Sequence, residues 1–196
     1  MNIVQEFNVE LFDGDDLWMP TMACEDDACY DVRARAFADR KTKLICPLGE
    51  MVSSLGDIPY PVYDTRKVPL VPRTLKIKPG GRGLILTGVF IELRPGWEVQ
   101  VRPRSGLAWK NAITVRNSPG TVDAKYRDEV GIILANDDWE DEQTFEIKHG
   151  DRIGQLAFRE VPPVRLKKVD KISRKMDRGG GFGHTGVQDC KKAPRK

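Results

Sequence analysis

Short apolar or alternating runs separated by Pro-Gly turns fill residues 74–104, and this spacing constrains the fold more than any other feature of the chain. Leu75–Ile77 alternates apolar and polar residues, residues 84–91 are mostly apolar, and Trp97–Arg102 alternates again. Runs of this length between turns are typical of β-strands in a sandwich or jelly roll. The 84–91 run predicts one buried strand.

The remaining segments extend the same pattern along the chain. We predict strands near residues 3–11, 144–147 and 153–158, with an edge strand over 164–169. The one short helix is expected at Ser105–Asn111. The sequence therefore predicts an all-β fold, a distorted jelly-roll barrel or sandwich, with one short helix and a flexible, glycine-rich C-terminal arm.

Composition argues against some classes of function but does not identify one. The chain has 196 residues, 40% of them hydrophobic, and a net charge of +3 from 32 basic and 29 acidic residues. This near balance does not favour nucleic acid, so no direct nucleic-acid binding is expected. The N-terminus has no apolar signal segment, and no apolar run approaches the length of a membrane span, so no membrane association is expected. The four cysteines lack CxxC spacing and are expected to be reduced.

Residues 113–134 form the segment most suggestive of chemistry. Two β-rich runs, Ile113–Val115 and residues 130–134, flank a polar tip at 124–128, which predicts a hairpin. The segment carries the carboxylate of Asp123, the aromatic ring of Tyr126 and several accessible backbone groups. Such a hairpin can hold a flat base along its edge and a carboxylate near a reacting group.

Five segments, in order, resemble the motifs of the homotrimeric dUTPases. The hairpin motif is Asn117-x-x-Gly120-x-Val122-Asp123-x-x-Tyr126. The other four motifs are Ala28-Cys29-Tyr30-Asp31-Val32, Arg102-Pro103-Arg104-Ser105-Gly106-Leu107-Ala108, Gly150-Asp151-Arg152-Ile153-Gly154-Gln155-Leu156, and a glycine-rich run from Arg178 to Gly186.

The resemblance implies a homotrimer with shared active sites that hydrolyses dUTP to dUMP and pyrophosphate. Asp123 would be the catalytic base that activates water against the α-phosphorus, since a carboxylate can accept a proton through one positioned water. Mg²⁺ is the implied cofactor, chelated by the triphosphate, with Asp31 contacting its waters. The reaction would keep uracil out of DNA and supply dUMP for thymidylate synthesis.

The resemblance also implies which residues bind the substrate. Arg104, Ser105 and Gly106 would bind phosphates, and Gln155 would contact a phosphate or a water. The hairpin would pair with uracil while Tyr126 excludes a 2′-hydroxyl. Phe182 would stack on the uracil ring within a lid that closes over the site. The complete implied set is Arg104, Ser105, Gly106, Asn117, Gly120, Thr121, Val122, Tyr126, Gly131, Gln155, Arg178, Phe182, Gly183, His184 and Thr185.

Some features depart from the family pattern or extend it. The fifth motif is one residue shorter than usual between Arg178 and Phe182, and Gly154 replaces a usual Ala. Residues 40–72, dense in Pro and Gly, are interpreted as an insertion within a 1–170 β domain that precedes a 171–196 arm. We expect a cytoplasmic protein, or a nuclear or host-cytoplasmic one if it is viral.

Two alternatives stay open. A dCTP deaminase shares the fold, but by resemblance its catalytic glutamate would lie where this chain has Ile133. A dUTPase-fold regulatory protein could instead act by binding a partner through the 40–72 insertion.

Overall fold

The computed structural model describes residues 4–38, 45–47, 74–139 and 143–175. Within them the chain forms thirteen β-strands and one α-helix, in agreement with the predicted all-β class. The strands are β1 (Asn8–Leu11), β2 (Tyr30–Arg33), β3 (Ala36–Ala38), β4 (Ile45–Pro47), β5 (Leu75–Ile77), β6 (Arg82–Leu86), β7 (Val89–Glu92), β8 (Trp97–Arg102), β9 (Ile113–Val115), β10 (Gly120–Val122), β11 (Gly131–Asn136), β12 (Phe145–Ile147) and β13 (Arg152–Glu160), and the helix is α1 (Ser105–Asn111).

The strands are arranged in four antiparallel sheets. A four-stranded sheet has the order β10-β8-β13-β2, and a five-stranded sheet has the order β4-β3-β6-β11-β9. Two-stranded sheets pair β1 with β7 and β12 with β5. Buried side chains from the two larger sheets form one hydrophobic cluster, which includes Val99 and Leu156 from the first and Ile85 and Ile132 from the second. Burying one face of each sheet against the other is the main stabilising interaction of such a sandwich.

The predicted single strand over residues 84–91 is wrong. The run is two strands, β6 and β7, which belong to different sheets and are separated by Thr87 and Gly88. Gly88 adopts a φ of +75°, and a Cβ there would lie 2.7 Å from Cγ of Trp18. The chain changes sheets at Gly88 because only glycine adopts this conformation beside a packed indole without strain.

The predicted hairpin is partly correct. Its flanking runs do pair, with Leu134 of β11 opposite Val115 of β9. The intervening segment is not a simple tip, however, because it contains β10, which pairs with β8 in the other sheet. Gly120 and Val122 are buried and Thr121 is exposed, so this short segment has a strand pattern of its own.

Several other segments match or differ from their predictions. β8 and α1 have the predicted bounds, and β13 contains the predicted core strand but is longer. Residues 164–169 form no strand, and the side chains of Val164 and Leu166 there are 75% and 93% exposed.

The chain divides into two compact units, Met1–Pro162 and Pro163–Lys196. Most of the predicted 40–72 insertion lies outside the described residues.

Candidate active site

The buried carboxylate of Asp31 on β2 accepts hydrogen bonds from three side chains that are distant from it in the sequence. Its Oδ1 accepts hydrogen bonds from Nε of Arg104 at 3.0 Å and from Nε2 of Gln155 at 3.2 Å. Its Oδ2 accepts one from Nη1 of Arg152 at 3.0 Å. Asp31 is only 3% exposed, so its charge requires these partners. The structure thus brings the predicted residues Asp31, Arg104 and Gln155 together.

The strand register explains this convergence. Gln155 of β13 lies opposite Asp31 of β2 on one side and opposite Arg102 of β8 on the other. Arg104 follows β8 by two residues, where Pro103 leads the chain out of the sheet. Three motifs separated in sequence therefore meet in one row across three strands.

Two guanidinium groups against one carboxylate leave this row with a net positive charge. The side chains of Arg104 and Arg152 are 26% and 42% exposed, so both present part of a guanidinium to solvent. Arginine can bind phosphate oxygens in a bidentate manner. The row is thus suited to an anion such as a phosphate chain. We refer to Asp31, Arg104, Arg152 and Gln155 as the Asp31 cluster.

Arg152 was missed in the sequence, although it lies within the fourth motif. No local signal marked it, because side chains three positions apart in a regular strand point to opposite faces, and it is the register shift between Arg152 and Gly154 that brings Arg152 to the same carboxylate as Gln155. The structure assigns it a direct ion pair with the same carboxylate that holds Arg104.

The start of α1 lies next to the Asp31 cluster, since Arg104 is the residue that precedes the helix. Arg104 has extended backbone angles and its carbonyl accepts from the N–H of Ala108 at 3.0 Å. No side chain caps the first turn of this helix, and Ser105 and Gly106 are exposed. Uncapped N–H groups at a helix start can donate to an anion, which is the role that the resemblance implies for Ser105 and Gly106.

The hairpin residues form a second group. Asp123 is exposed directly after β10, and its carbonyl accepts from the N–H of Tyr126 at 3.0 Å. The Tyr126 hydroxyl donates to the carbonyl of Glu129 at 2.8 Å, which fixes the ring. A Cβ on Gly120 would lie 3.0 Å from Nδ2 of Asn117, so the Asn117 amide packs against the bare glycine backbone.

Gly131 begins β11 opposite Leu86 of β6. A Cβ there would lie 2.8 Å from Cδ1 of Leu84. The missing side chain therefore makes room for packing within the sheet, whatever further role the backbone of Gly131 has.

One chain does not bring Asp123 and Asp31 together. Val122 pairs with Val99, so Asp123 leaves the sheet opposite Glu98, whereas Asp31 and Gln155 lie in the row of Arg102. Asp123 is therefore displaced by about 13 Å along the strands and by three strand spacings across them, or about 20 Å in total. The predicted base and the Asp31 cluster therefore lie at separate positions in one sheet of a single chain.

The surroundings of Tyr126 raise the pKa of its phenol, which gives a testable prediction. Burial raises the pKa of the phenol above the ordinary value of 10.0, and the carboxylates of Asp128 and Glu129 raise it further. Because the pKa of this phenol is raised in the folded state, its contribution to the free energy of unfolding is complete below pH 10. That contribution is lost as pH rises through the folded pKa. The tyrosinate absorbance of the protein minus that of Tyr126→Phe should therefore appear above pH 10; a difference curve centred at or below pH 10 would contradict this.

Five predicted residues lie outside the described residues, namely Arg178, Phe182, Gly183, His184 and Thr185. Within the described ranges, no group of three or more His, Cys, Asp and Glu side chains is arranged to hold a metal ion. The helices found in the described ranges are all too short or too polar to cross a membrane.

The donor set around Asp31 determines how it could serve a magnesium ion. Both carboxylate oxygens already accept from guanidinium or amide groups, and the net charge of the cluster repels a bare cation. Asp31 therefore fits an outer contact through water to an ion held mainly by phosphates. Mg²⁺ suits that arrangement because it retains several of its waters.

Comparison with known proteins identifies the family. The dUTPase family model matches residues 70–186, which is more than half of the chain. The chain belongs to the dUTPase family. The match covers the hairpin, the start of α1, β13 and the glycine-rich run, so the family predicted from the five motifs is confirmed.

Similar proteins support the same family and fold. The deoxyuridine 5'-triphosphate nucleotidohydrolase of Clostridium tetani is 47% identical over 110 residues, covering 56% of this chain and 74% of that protein. The enzyme of the same name from Rhizobium johnstonii is 49% identical over 113 residues, covering 58% of this chain and 70% of that protein. The dUTPase of Staphylococcus bacteriophage 80alpha with dUPNHPP superimposes with a TM-score of 0.65 at 20% identity, covering 94% of this chain and 100% of the other, which confirms the dUTPase fold.

Proposed function

We propose that this chain is a dUTP diphosphatase, which hydrolyses dUTP to dUMP and pyrophosphate. Membership of the dUTPase family supports this activity. The observation that carries the proposal is the Asp31 cluster, in which one buried carboxylate orients two arginines beside the uncapped start of α1. This provides a preformed receptor for a polyphosphate, and the hairpin supplies the base-reading element.

The reaction requires a base for water and a receptor for the leaving group. Asp123 takes a proton from water as the water oxygen bonds to the α-phosphorus. The bond from that phosphorus to the bridging oxygen breaks, and pyrophosphate leaves with the electron pair. Arg104, Arg152 and the first N–H groups of α1 stabilise the negative charge that develops on the phosphate chain.

Base and sugar selection are assigned to the hairpin. The backbone of residues 120–126 and the amide of Asn117 pair with the uracil edge, and a close fit leaves no room for the methyl group of thymine. One methyl group usually provides about 1–3 kcal/mol of discrimination. The Tyr126 ring, held by Glu129, lies under the deoxyribose and excludes a 2′-hydroxyl.

Mg²⁺ is the cofactor that this family generally uses, and Asp31 and Gln155 would contact its waters. When bound with the triphosphate, the ion neutralises phosphate charge. The residues of this chain orient the phosphates and hold the water-activating carboxylate.

We further propose that the active enzyme is a homotrimer with shared sites. Asp123 and Asp31 are about 20 Å apart within one chain by strand geometry, too far to act on one triphosphate. A cyclic arrangement places the hairpin of one subunit over the Asp31 cluster of the next. The C-terminal motif with Arg178 and Phe182 would complete the site. Activity in the cytoplasm, or in the nucleus or host cytoplasm for a viral protein, would lower the dUTP available to DNA synthesis.

A nucleotide panel tests the activity directly. The purified protein with Mg²⁺ is incubated separately with dUTP, dTTP, dCTP and UTP, and nucleoside monophosphate and pyrophosphate are quantified. We expect dUTP to be hydrolysed, with kcat/KM at least about ten-fold above that of the other three, because one extra group in a close-fitting pocket usually costs about 1–3 kcal/mol. In oxygen-labelled water the label should appear in dUMP. Failure to cleave dUTP, or label found only in pyrophosphate, would refute the activity or the site of attack, respectively.

A further inference from the structure

Residues 123–130 form the hairpin loop, and this loop depends on contacts at its C-terminal end. Its N-terminal end is anchored to the sheet by β10. At its other end, the N–H of Val130 donates to the carbonyl of Val89 at 2.8 Å, and the carbonyl of Val130 accepts from both N–H and hydroxyl of Thr87. The turn between β6 and β7 therefore holds the point where the loop returns to the sheet.

Glu129 is the buried acid at this point. Its Oε1 accepts from Nε of Arg35 at 2.9 Å and from the N–H of Gly88 at 2.5 Å, and its Oε2 accepts from Nη2 of Arg35 at 2.6 Å. Only 2% of the Glu129 side chain and none of the Arg35 side chain is exposed. A two-point ion pair of this kind fixes both side chains in one geometry.

Arg35 is itself held by surrounding groups. The guanidinium of Arg35 lies 3.8 Å from the centre of the Phe12 ring. The backbone N–H of Arg35 donates to the carbonyl of Leu86 at 2.9 Å. The residue follows Asp31 by four positions, between β2 and β3. Arg35 is thus held within the core, whereas Glu129, its partner in the ion pair, belongs to the loop.

The position of Tyr126 depends directly on Glu129. Its hydroxyl donates to the carbonyl of Glu129, the same residue whose carboxylate is fixed by Arg35. Displacing Glu129 would remove the acceptor that sets the position of the phenol. A tyrosine that excludes a 2′-hydroxyl must keep its ring within a fraction of an ångström, because a small shift opens room for one oxygen atom.

We propose that Arg35 is a positioning residue that, through Glu129, holds the loop and Tyr126 and thereby sets selectivity for deoxyribose over ribose. The inference rests on the proposed hydrolysis of dUTP for its selectivity readout. It predicts that the pair can be replaced by apolar side chains of similar size with retention of folding but loss of sugar discrimination.

The main experiment uses the double variant Arg35→Met/Glu129→Met, because it leaves no unpaired buried charge. The ratio of kcat/KM for dUTP to that for UTP is measured beside the melting temperature. We expect the ratio to fall by about ten-fold or more, mainly through a lower KM for UTP and a higher KM for dUTP. Arg35→Lys, which retains the charge without the two-point contact, should give an intermediate ratio.

Ile147→Val is the matched control, since Ile147 is fully buried and lies on β12, which pairs with β5. It should lower the melting temperature with an unchanged dUTP to UTP ratio. An unchanged ratio in the folded double variant, or an equal loss in Ile147→Val, would overturn the positioning role.

Amide hydrogen exchange separates this inference from the proposed activity, because it requires no substrate. Peptides covering 123–130 should exchange faster in the double variant than in the unmodified protein, whereas peptides covering 97–102 should not change. If the unmodified protein cleaves no dUTP, the proposed activity fails while the exchange result still decides whether the pair holds the loop. Unchanged exchange over 123–130 would overturn the inference.

Discussion

Replacing Asp123 with Asn should lower kcat for dUTP by about a thousand-fold while leaving dUTP affinity nearly unchanged. General-base catalysis typically contributes about 10²–10⁴-fold, and an amide cannot take the proton from water. The fold should tolerate the change because the side chain is exposed and only the Asp123 carbonyl accepts from Tyr126. Single-turnover kinetics and equilibrium binding of a non-hydrolysable dUTP analogue measure the two quantities.

Asp128→Asn is the control for this variant, since Asp128 is an exposed aspartate in the same loop. It removes the same charge from the same region but lies outside the proposed chemistry. Turnover should remain close to that of the unmodified protein. Similar losses in both variants would show that loop charge, rather than a base at residue 123, supports catalysis.

Replacing Asp31 with Asn should damage both activity and stability. The amide keeps one acceptor oxygen but turns N–H groups towards a guanidinium that also donates, so Arg104 or Arg152 loses its partner. We expect kcat/KM to fall about a hundred-fold as the phosphate receptor is disordered. The free energy of unfolding should fall by about 2 kcal/mol, less than for a fully buried pair, because both guanidiniums are partly exposed.

Asp137→Asn provides the matched comparison, because Asp137 also pairs with an arginine, Arg116, at 3.6 Å. Its side chain is 45% exposed, so the change should alter stability by at most about 1 kcal/mol and leave activity intact. Urea unfolding measures both variants. An Asp31→Asn protein as stable and active as Asp137→Asn would refute the central place given to the Asp31 cluster.

The two damaging variants can also test the shared site. In a trimer, an intact site can combine Asp123 from an Asp31→Asn chain with Asp31 from an Asp123→Asn chain. Co-refolding equal amounts of the two inactive chains should therefore restore about a quarter of the sites by random association. No recovery in properly assembled mixtures would place the complete site within a single chain.

Local sequence was sufficient for those elements whose boundaries have local causes. Alternation defines β8, Pro103 prevents its continuation, and α1 begins two residues later as predicted. The five motifs were sufficient for the family, and the resemblance brought Asp31, Arg104 and Gln155 to one region, where the structure also joins them.

Contacts between distant residues were not accessible in this way. Arg35 and Glu129 are separated by 94 residues, and neither stands out in the local pattern. The division of 84–91 depends on Trp18, which packs against Gly88 from another part of the chain. The separation of Asp123 from Asp31 follows from sheet order, which the spacing of short strands does not determine.

The glycine at 154, where the family commonly has alanine, has a direct steric explanation. A Cβ at this position would lie 2.6 Å from Cδ1 of Ile132 on the facing sheet. The terminal methyl of Ile132 thus occupies the volume that an alanine at 154 would need. A methyl group at position 154 and the terminal methyl of Ile132 cannot both occupy this space between the sheets. Sequences with alanine at 154 are therefore expected to carry a smaller residue at 132.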